Sequence, residues 1–271
     1  MVERFTVKNV AQSNALPMPA LPLPETSAGN DMSYFLNRRT LAPASASLRR
    51  QFEAFVRDEH FPCVAAKSAL TKKQLQVVIA RDITSAWDDL RLHEELRQFA
   101  DEYAQRPTLF TSLVVIFRRN RRLSEKEFEK ALWERLQSLH DKDVWRGFSY
   151  DKRVNPDPQS PHFSFSLAGR AFFVIGLHAN ASRPGRRFPH SALVFNLHEQ
   201  FEMLRNAGRY QRLKSAIMDR DQKFNGSINP MLASHGEISE ARQYSGRNVS
   251  GLWRCPLHVH SENALETEDA A

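Results

Sequence analysis

The chain contains few cysteines and no long apolar run. Only Cys63 and Cys255 occur among the 271 residues, which is too few for a disulfide framework. No apolar stretch approaches the roughly 20 residues that a membrane-spanning helix needs, and the N-terminus lacks the basic-then-apolar pattern of a secretory signal. These absences favour a cytoplasmic protein with reduced thiols and no membrane contact.

The chain also has no long block of charges of one sign. The formal net charge is +7 and the pI is about 9.6, but the lysines and arginines are scattered along the sequence. A scattered excess favours a solvated basic surface over a nucleic-acid-binding one. With 25% charged and 41% hydrophobic residues, the composition is that of a globular protein with one large domain or two small ones.

The two ends of the chain differ from its middle. Residues 1–40 include LPMPALPLPE, whose prolines are incompatible with a regular helix or a central strand. We therefore predict an extended arm there, and a frayed acidic tail over residues 261–271. Residues 41–260 between them are predicted to form a single domain.

Helical patterns begin and end this central region. SASLRRQFEAFVRDEHF and ITSAWDDLRLHEELRQFADEYAQR carry apolar residues at helical spacing. SEKEFEKALWERLQSLH opens with Ser124 and Glu127, which are spaced as a capping box. A later helix is predicted from His198 to Phe224, with an interruption near Gly208.

Strand patterns lie among these helices. TLFTSLVVIF and SALVFNL are short and apolar, as buried strands are, and FSFSLAGRAFFVIGL predicts a hairpin that turns at Ala168 and Gly169. Because helices and strands do not alternate strictly, the sequence predicts an α+β fold. We expect a mixed, partly antiparallel sheet flanked by helices.

One histidine follows an apolar strand and precedes three arginines. His178 ends the run AFFVIGLH, and Arg183, Arg186 and Arg187 come soon after it. A histidine at a strand end is often a core residue bonded to a backbone carbonyl. A guanidinium group, however, can bind a carboxylate or a phosphate through two hydrogen bonds at once. A haem, which has one metal ion and two carboxylates, would use this combination, and a phosphate ligand would need the same arginines.

A second histidine lies at the start of the helix that contains HEQFE. His198 and Glu202 are four residues apart on one helix face, and Glu199 is adjacent. They predict either a non-haem metal site or carboxylates that hold a cationic substrate. Alternatively, the acids only complement the positive end of the helix dipole.

Two further segments contain candidate residues. Cys255 follows Arg254, which favours a thiolate, and thiolate is an axial ligand of haem iron; buried free cysteines are, however, usually inert. The glycine-punctuated loop after Asn225 contains Asn229, Glu237 and Glu240, which are candidates for contacting a polar substrate or for ordinary turn formation.

Several long motifs follow one another in a fixed order: FPC, FSFSLAGRAFFVIGLH, ASRPGRRF, VFNLHEQFE, GSINPMLASHGEISEARQYSGR and WRCPL. This series resembles the bacterial YqcI/YcgG family, also called the FPC/CPF-motif proteins. The resemblance extends from about Phe61 to Pro256. Leu257 stands where the second motif usually has phenylalanine, and Ala179 stands where a proline often follows the motif histidine.

This resemblance implies an enzyme. Characterised relatives are haem-dependent N-hydroxylases of guanidine compounds in D-cycloserine and guanitoxin biosynthesis. It therefore implies a catalytic domain that holds haem b and uses dioxygen or peroxide, with a possible electron-donor protein, to oxygenate a guanidino nitrogen. L-Arginine is the expected substrate. The alternatives are a haem-binding sensor or carrier without turnover, and a non-haem metalloenzyme that uses His198.

For the residues of the site, we expect His178 to be the axial ligand, with Cys255 and His198 as alternatives. At least one of Arg183, Arg186 and Arg187 is expected to bind a haem propionate. A guanidinium substrate needs carboxylate and polar partners, and the candidates are Glu199, Glu202, Glu237, Glu240 and Asn229.

Overall fold

A computed structural model describes residues 42–227 and 236–260. The predicted N-terminal arm and acidic tail lie outside the described residues. None of the helices within those two ranges combines the length and the apolar character that a membrane span requires. The helices are α1 (Ala42–Arg57), α2 (Val64–Thr71), α3 (Asp89–Gln105), α4 (Glu125–Trp145), α5 (Glu199–Asn206), α6 (Tyr210–Asn225) and α7 (Ala241–Tyr244).

Five strands form one sheet in the order β1-β2-β5-β4-β3. β1 and β2 are parallel, whereas the other neighbouring pairs are antiparallel. The mixed sheet and its flanking helices confirm the predicted α+β class. The strands are β1 (Leu75–Ala80), β2 (Ser112–Phe117), β3 (Phe165–Leu167), β4 (Arg170–Leu177) and β5 (Ala192–Leu197).

Several of these boundaries follow from local signals in the sequence. Ser124 and Glu127 form the predicted capping box at the start of α4. β3 and β4 form the predicted hairpin, and its turn residues Ala168 and Gly169 have φ values of 52° and 68°. This left-handed pair matches the twist of the strands. The predicted interruption at Gly208, where φ is 63°, separates α5 from α6.

The two faces of the sheet are covered differently, because side chains alternate along each strand. On the first face, Leu113, Val115 and Phe117 of β2 pack into a core with α3 and α4. On the second face, Val114 and Ile116 pack with α1. The first face is the larger and more completely buried of the two.

Gly176 in β4 explains how closely α4 approaches the first face. A Cβ atom built at Gly176 would lie 2.6 Å from a ring carbon of Phe128 and 2.8 Å from Leu132. Real Cβ atoms do not approach other atoms so closely, so α4 occupies the space that a side chain would need. His178, two residues after Gly176, lies on the same face and stacks on Phe128 with ring centroids 4.2 Å apart.

Candidate functional site

A cavity of about 300 Å³ lies on the second face of the sheet, beneath α1, α2 and α6. Its walls are mainly apolar and include Phe61, Phe173, Ile175, Val194 and Ile217. An apolar cavity with a few polar groups is typical of sites for small molecules and cofactors. The volume lies at the lower end of the range for such sites.

Helix α6 closes the cavity and packs against few other residues. Leu213, Ile217 and Met218 of α6 line the cavity and remain only half-buried. Among the described side chains of α6, only Asp221 is buried. Most of the stability of a helix in a protein comes from packing of its apolar face. The apolar face of α6 is therefore the part of the wall most suited to contact a ligand.

His198 lies at one end of the cavity, between β5 and α5. Its side chain lines the cavity and its backbone N–H donates to the Ala171 carbonyl, which holds the residue at the edge of the sheet. The ring Nδ1 lies 3.0 Å from Ser164 Oγ, and Nε2 lies 3.2 Å from a carboxylate oxygen of Glu202. Burial lowers the pKa of His198, so the imidazole is neutral at neutral pH.

Behind His198, a chain of hydrogen bonds continues into the protein. Ser164 Oγ lies 2.7 Å from Glu240 Oε1, and the Tyr244 hydroxyl lies 2.6 Å from the same oxygen. The Tyr244 hydroxyl also accepts from the Phe165 N–H at 3.1 Å. Burial raises the pKa of Glu240 to about 8, although the bonds from Tyr244 and Ser164 oppose this shift.

The other end of the cavity is lined by two arginines. Arg183 pairs with Asp221 at 2.5 Å. Arg186 donates to three backbone carbonyls, those of Gly176, Tyr244 and Gln243, at 3.0–3.1 Å. Burial lowers the pKa of Arg186 to about 10. The charge of Asp221 opposes this lowering of the pKa.

The third predicted arginine has a local role. Arg187 donates to the carbonyls of Ala181 and Ser182 at 2.6 and 2.7 Å. It does not line the cavity. The structure thus brings Arg183 and Arg186 into the candidate site and leaves Arg187 to stabilise the loop after β4.

Of the three candidate iron ligands, only His198 lines the cavity. His178 lies on the first face of the sheet against Phe128, and burial lowers its pKa to about 4. Cys255 belongs to the core on that same face, and burial raises its pKa to about 12, which keeps it a protonated thiol. The alternation of side chains along β4 accounts for His178, because it shares a face with Gly176.

The predicted substrate residues are dispersed. Glu199 pairs with Arg153 and Arg170 and does not line the cavity. The side chain of Glu202 is 48% exposed, between His198 and Arg205. The Asn229 candidate lies outside the described residues. Glu237 lines a separate surface depression, and only Glu240 of the predicted set lines the cavity.

The sequence did not predict Cys63 and Asp221 of the cavity, nor Ser164 and Tyr244 of the hydrogen-bond series behind it. Cys63 lines the cavity at the start of α2, where its sulfur accepts a bond from the Ala66 N–H at 3.5 Å, and burial raises the pKa of its thiol. The FPC motif contains Cys63, but the motif alone does not indicate a role for this residue. Ser164, Tyr244 and Asp221 carry no local pattern that distinguishes them from ordinary polar residues.

The described residues contain no group of three or more His, Cys, Asp and Glu side chains that could hold a metal ion. His198 with Glu202 is therefore a pair of donors. A metal held entirely by protein side chains needs at least three, whereas haem iron takes one or two ligands from the protein.

The model of the YqcI/YcgG family matches residues 52–258. The chain belongs to the YqcI/YcgG family. Searches of curated proteins and of solved structures found no match. The matched range of the YqcI/YcgG model includes every cavity residue named above, from Phe61 on the loop before α2 to Glu240 at the start of α7.

Proposed function

We propose that this member of the YqcI/YcgG family is a haem-dependent N-hydroxylase of a guanidino compound, with L-arginine as the first substrate to test. One observation carries the proposal: a neutral histidine, His198, lines an apolar cavity and is backed by a buried hydroxyl and carboxyl group. The resemblance to guanidine N-hydroxylases supplies the substrate class.

The cavity has the three features that a haem needs. Haem presents a broad apolar ring, one metal ion and two carboxylates. The walls provide Phe61, Phe173 and Ile175 for the ring and His198 for the metal, and Arg186 lies at the opposite end for a carboxylate. When bound, haem supplies the activation of dioxygen or peroxide, while the protein orients the substrate and excludes water.

His198 is the residue that would hold the haem iron. It is held at a strand end by its backbone bond to Ala171, and such a rigid support is what a ligand position requires. The Nε2 of His198 can reach iron only if Glu202 moves away. This movement should cost little free energy, because Glu202 is exposed and has a second partner in Arg205. His178 and Cys255 would both need to cross the sheet.

L-Arginine carries a guanidinium and an α-ammonium group, and both favour carboxylate partners on the cavity wall. Glu240 lies behind His198 with Ser164 and Tyr244, at the end where the guanidino nitrogen must meet the iron. Asp221 of α6 binds the guanidinium group of Arg183 at the other end. We therefore assign Asp221 to the α-ammonium group of the substrate, which would exchange with Arg183 for this carboxylate. Asp221 lies eleven residues along α6 from Tyr210, roughly 16 Å at 1.5 Å per residue, so the two ends of the cavity are well separated.

The proposal is tested by reconstitution with hemin followed by turnover. We expect a stoichiometric Soret band, and with L-arginine and either hydrogen peroxide or a reductant with dioxygen, hydroxyarginine detected by mass spectrometry. Cofactor-free protein and free hemin are the matched controls. A Soret band without turnover on any guanidino compound would favour a haem sensor or carrier. No Soret band would reject the proposal.

A further inference from the structure

His198, Ser164, Glu240 and Tyr244 form one continuous series of hydrogen bonds. The distances are 3.0 Å from His198 Nδ1 to Ser164 Oγ, 2.7 Å from Ser164 Oγ to Glu240 Oε1, and 2.6 Å from Glu240 Oε1 to the Tyr244 hydroxyl. The four side chains come from the end of β5, the start of β3 and the segment containing α7. Three of the four are 8% exposed or less, and the fourth, Glu240, lines the cavity wall.

The number of protons in this series decides its direction. Ser164 has one hydroxyl proton and two acceptors within reach, Glu240 Oε1 and His198 Nδ1. The Glu240 oxygen is the nearer acceptor, at 2.7 Å against 3.0 Å for His198 Nδ1, so the proton points to Glu240. The lone pairs of Ser164 Oγ then face His198, and they can only accept a hydrogen bond from a protonated Nδ1.

Tyr244 supports the same direction. Its hydroxyl accepts from the Phe165 N–H, which turns its own proton towards Glu240 Oε1 or towards the Phe172 carbonyl at 3.0 Å. Glu240 Oε1 therefore acts as an acceptor for both neighbours. It does so when Glu240 is ionised and also when its proton is on Oε2, whereas a proton on Oε1 would reverse the series.

We propose that Glu240 is a positioning residue that, through Ser164, holds His198 in the tautomer with its proton on Nδ1. This leaves the Nε2 lone pair available to a metal. The consequence for haem rests on the proposed function, whereas the tautomer is a property of the protein alone. An acceptor behind a ligating histidine fixes its tautomer and increases its donor strength.

The opposing influence is Glu202. Its carboxylate lies 3.2 Å from Nε2 and would accept a proton placed there, which favours the other tautomer. The side chain of Glu202 is 48% exposed and also paired with Arg205, so water and Arg205 weaken its effect. The buried series should prevail in the native protein, and Glu202 should prevail once that series is interrupted.

The test is histidine ¹⁵N NMR on the cofactor-free protein, with long-range correlation from ring protons to ring nitrogens. We expect the wild-type protein to show a protonated Nδ1 and an unprotonated Nε2 at His198. In Ser164→Ala we expect the proton to move to Nε2, so that Nδ1 shows the resonance of an unprotonated nitrogen and Nε2 that of a protonated one. His93, whose Nε2 lies 2.7 Å from Asp143 in the α3–α4 interface, is the internal reference and should not change.

Glu240 supplies the decisive pair of variants. Glu240→Gln keeps an acceptor oxygen and should retain the wild-type tautomer, whereas Glu240→Ala removes it and should shift the population towards Nε2–H. Glu202→Ala should leave the wild-type tautomer in place. A wild-type protein with its proton on Nε2, or an unchanged tautomer in both Ser164→Ala and Glu240→Ala, would overturn the proposal.

A second measurement on the haem-loaded protein separates this inference from the proposed function. If haem is bound through His198, Ser164→Ala and Glu240→Ala should raise the reduction potential of the iron, and Glu240→Gln should stay closer to the wild type. A protein that shows the tautomer change but binds no haem retains the inference and loses the proposed function. Haem-bound variants with an unchanged potential would contradict the role of Glu240 in supporting a metal ligand.

Discussion

The two faces of the sheet carry out different tasks, as α4 and α6 illustrate. α4 buries ten residues against the first face, and Gly176 permits its close approach. The described part of α6 buries only Asp221 and turns Leu213, Ile217 and Met218 towards a cavity. The first face therefore provides most of the packing that stabilises the fold. The second face leaves apolar surface for a ligand to cover.

The largest expected effect concerns Phe128 on the packed face. Phe128→Ala should lower the free energy of unfolding by about 3–5 kcal/mol, because it leaves a cavity among fully buried neighbours. Ile217→Ala on α6 should cost less than about 1 kcal/mol, since its side chain is half-buried, and should weaken haem binding instead. Urea unfolding of both variants without haem measures this difference. Equal losses would contradict the division between the faces.

The second prediction uses the opposite pH dependence of His178 and Glu240. Burial lowers the pKa of His178 from 6.5 to about 4, so its unfavourable protonation removes roughly 3 kcal/mol of stability as pH falls from 6.5 to 4. Burial raises the pKa of Glu240 from 4.5 to about 8, so its ionisation removes stability as pH rises through that range.

Two variants test which residue causes each change of stability with pH. In His178→Gln the loss of stability below pH 6.5 should become smaller, and in Glu240→Gln the loss between pH 6.5 and 8 should become smaller. Urea unfolding at a series of pH values measures both effects. An unchanged pH profile in either variant would show that the corresponding group is not buried as described.

The third prediction compares neighbouring arginines. Arg186→Ala should weaken haem binding by about 1.5–3 kcal/mol, the usual contribution of a charge-assisted hydrogen bond. Arg187→Ala is the matched control and should bind haem like the wild type, because Arg187 contacts only the loop carbonyls of Ala181 and Ser182. Hemin titration followed by absorbance measures both, and equal affinities in the two variants would remove Arg186 from the site.

The smallest expected effect is at the start of α4. Ser124→Ala removes the hydroxyl that caps this helix and should lower the free energy of unfolding by about 1 kcal/mol. Haem affinity should remain unchanged, since α4 covers the packed face. A loss of haem affinity in this variant would indicate that the two faces are coupled.

Sequence patterns predicted the fold well where the signal is local. The capping box at Ser124, the hairpin turn at Gly169 and the break at Gly208 each depend on a few adjacent residues, and all three are confirmed. β1 and α2 were missed. β1 pairs with β2 at the edge of the sheet, and α2 has only eight residues, so neither produces a strong periodic pattern.

The site was harder to predict because it depends on which face a residue occupies. His178 and His198 both follow apolar strands, and only the three-dimensional structure shows that His178 faces α4 while His198 faces the cavity. Ser164 and Tyr244 lie 34 and 46 residues away from His198 in the chain, so no local motif joins them. Asp221 gains its position through an ion pair with Arg183, which is 38 residues away.

The most direct test of the proposed haem site is hemin binding to His198→Ala and His178→Gln, measured by the Soret band and by rescue with imidazole. The account predicts a stoichiometric Soret band in the wild-type protein and in His178→Gln. In His198→Ala the band should be displaced or lost, and added imidazole should restore it. A band that is unchanged in His198→Ala and lost only in His178→Gln would contradict the assignment of the cavity face as the haem site.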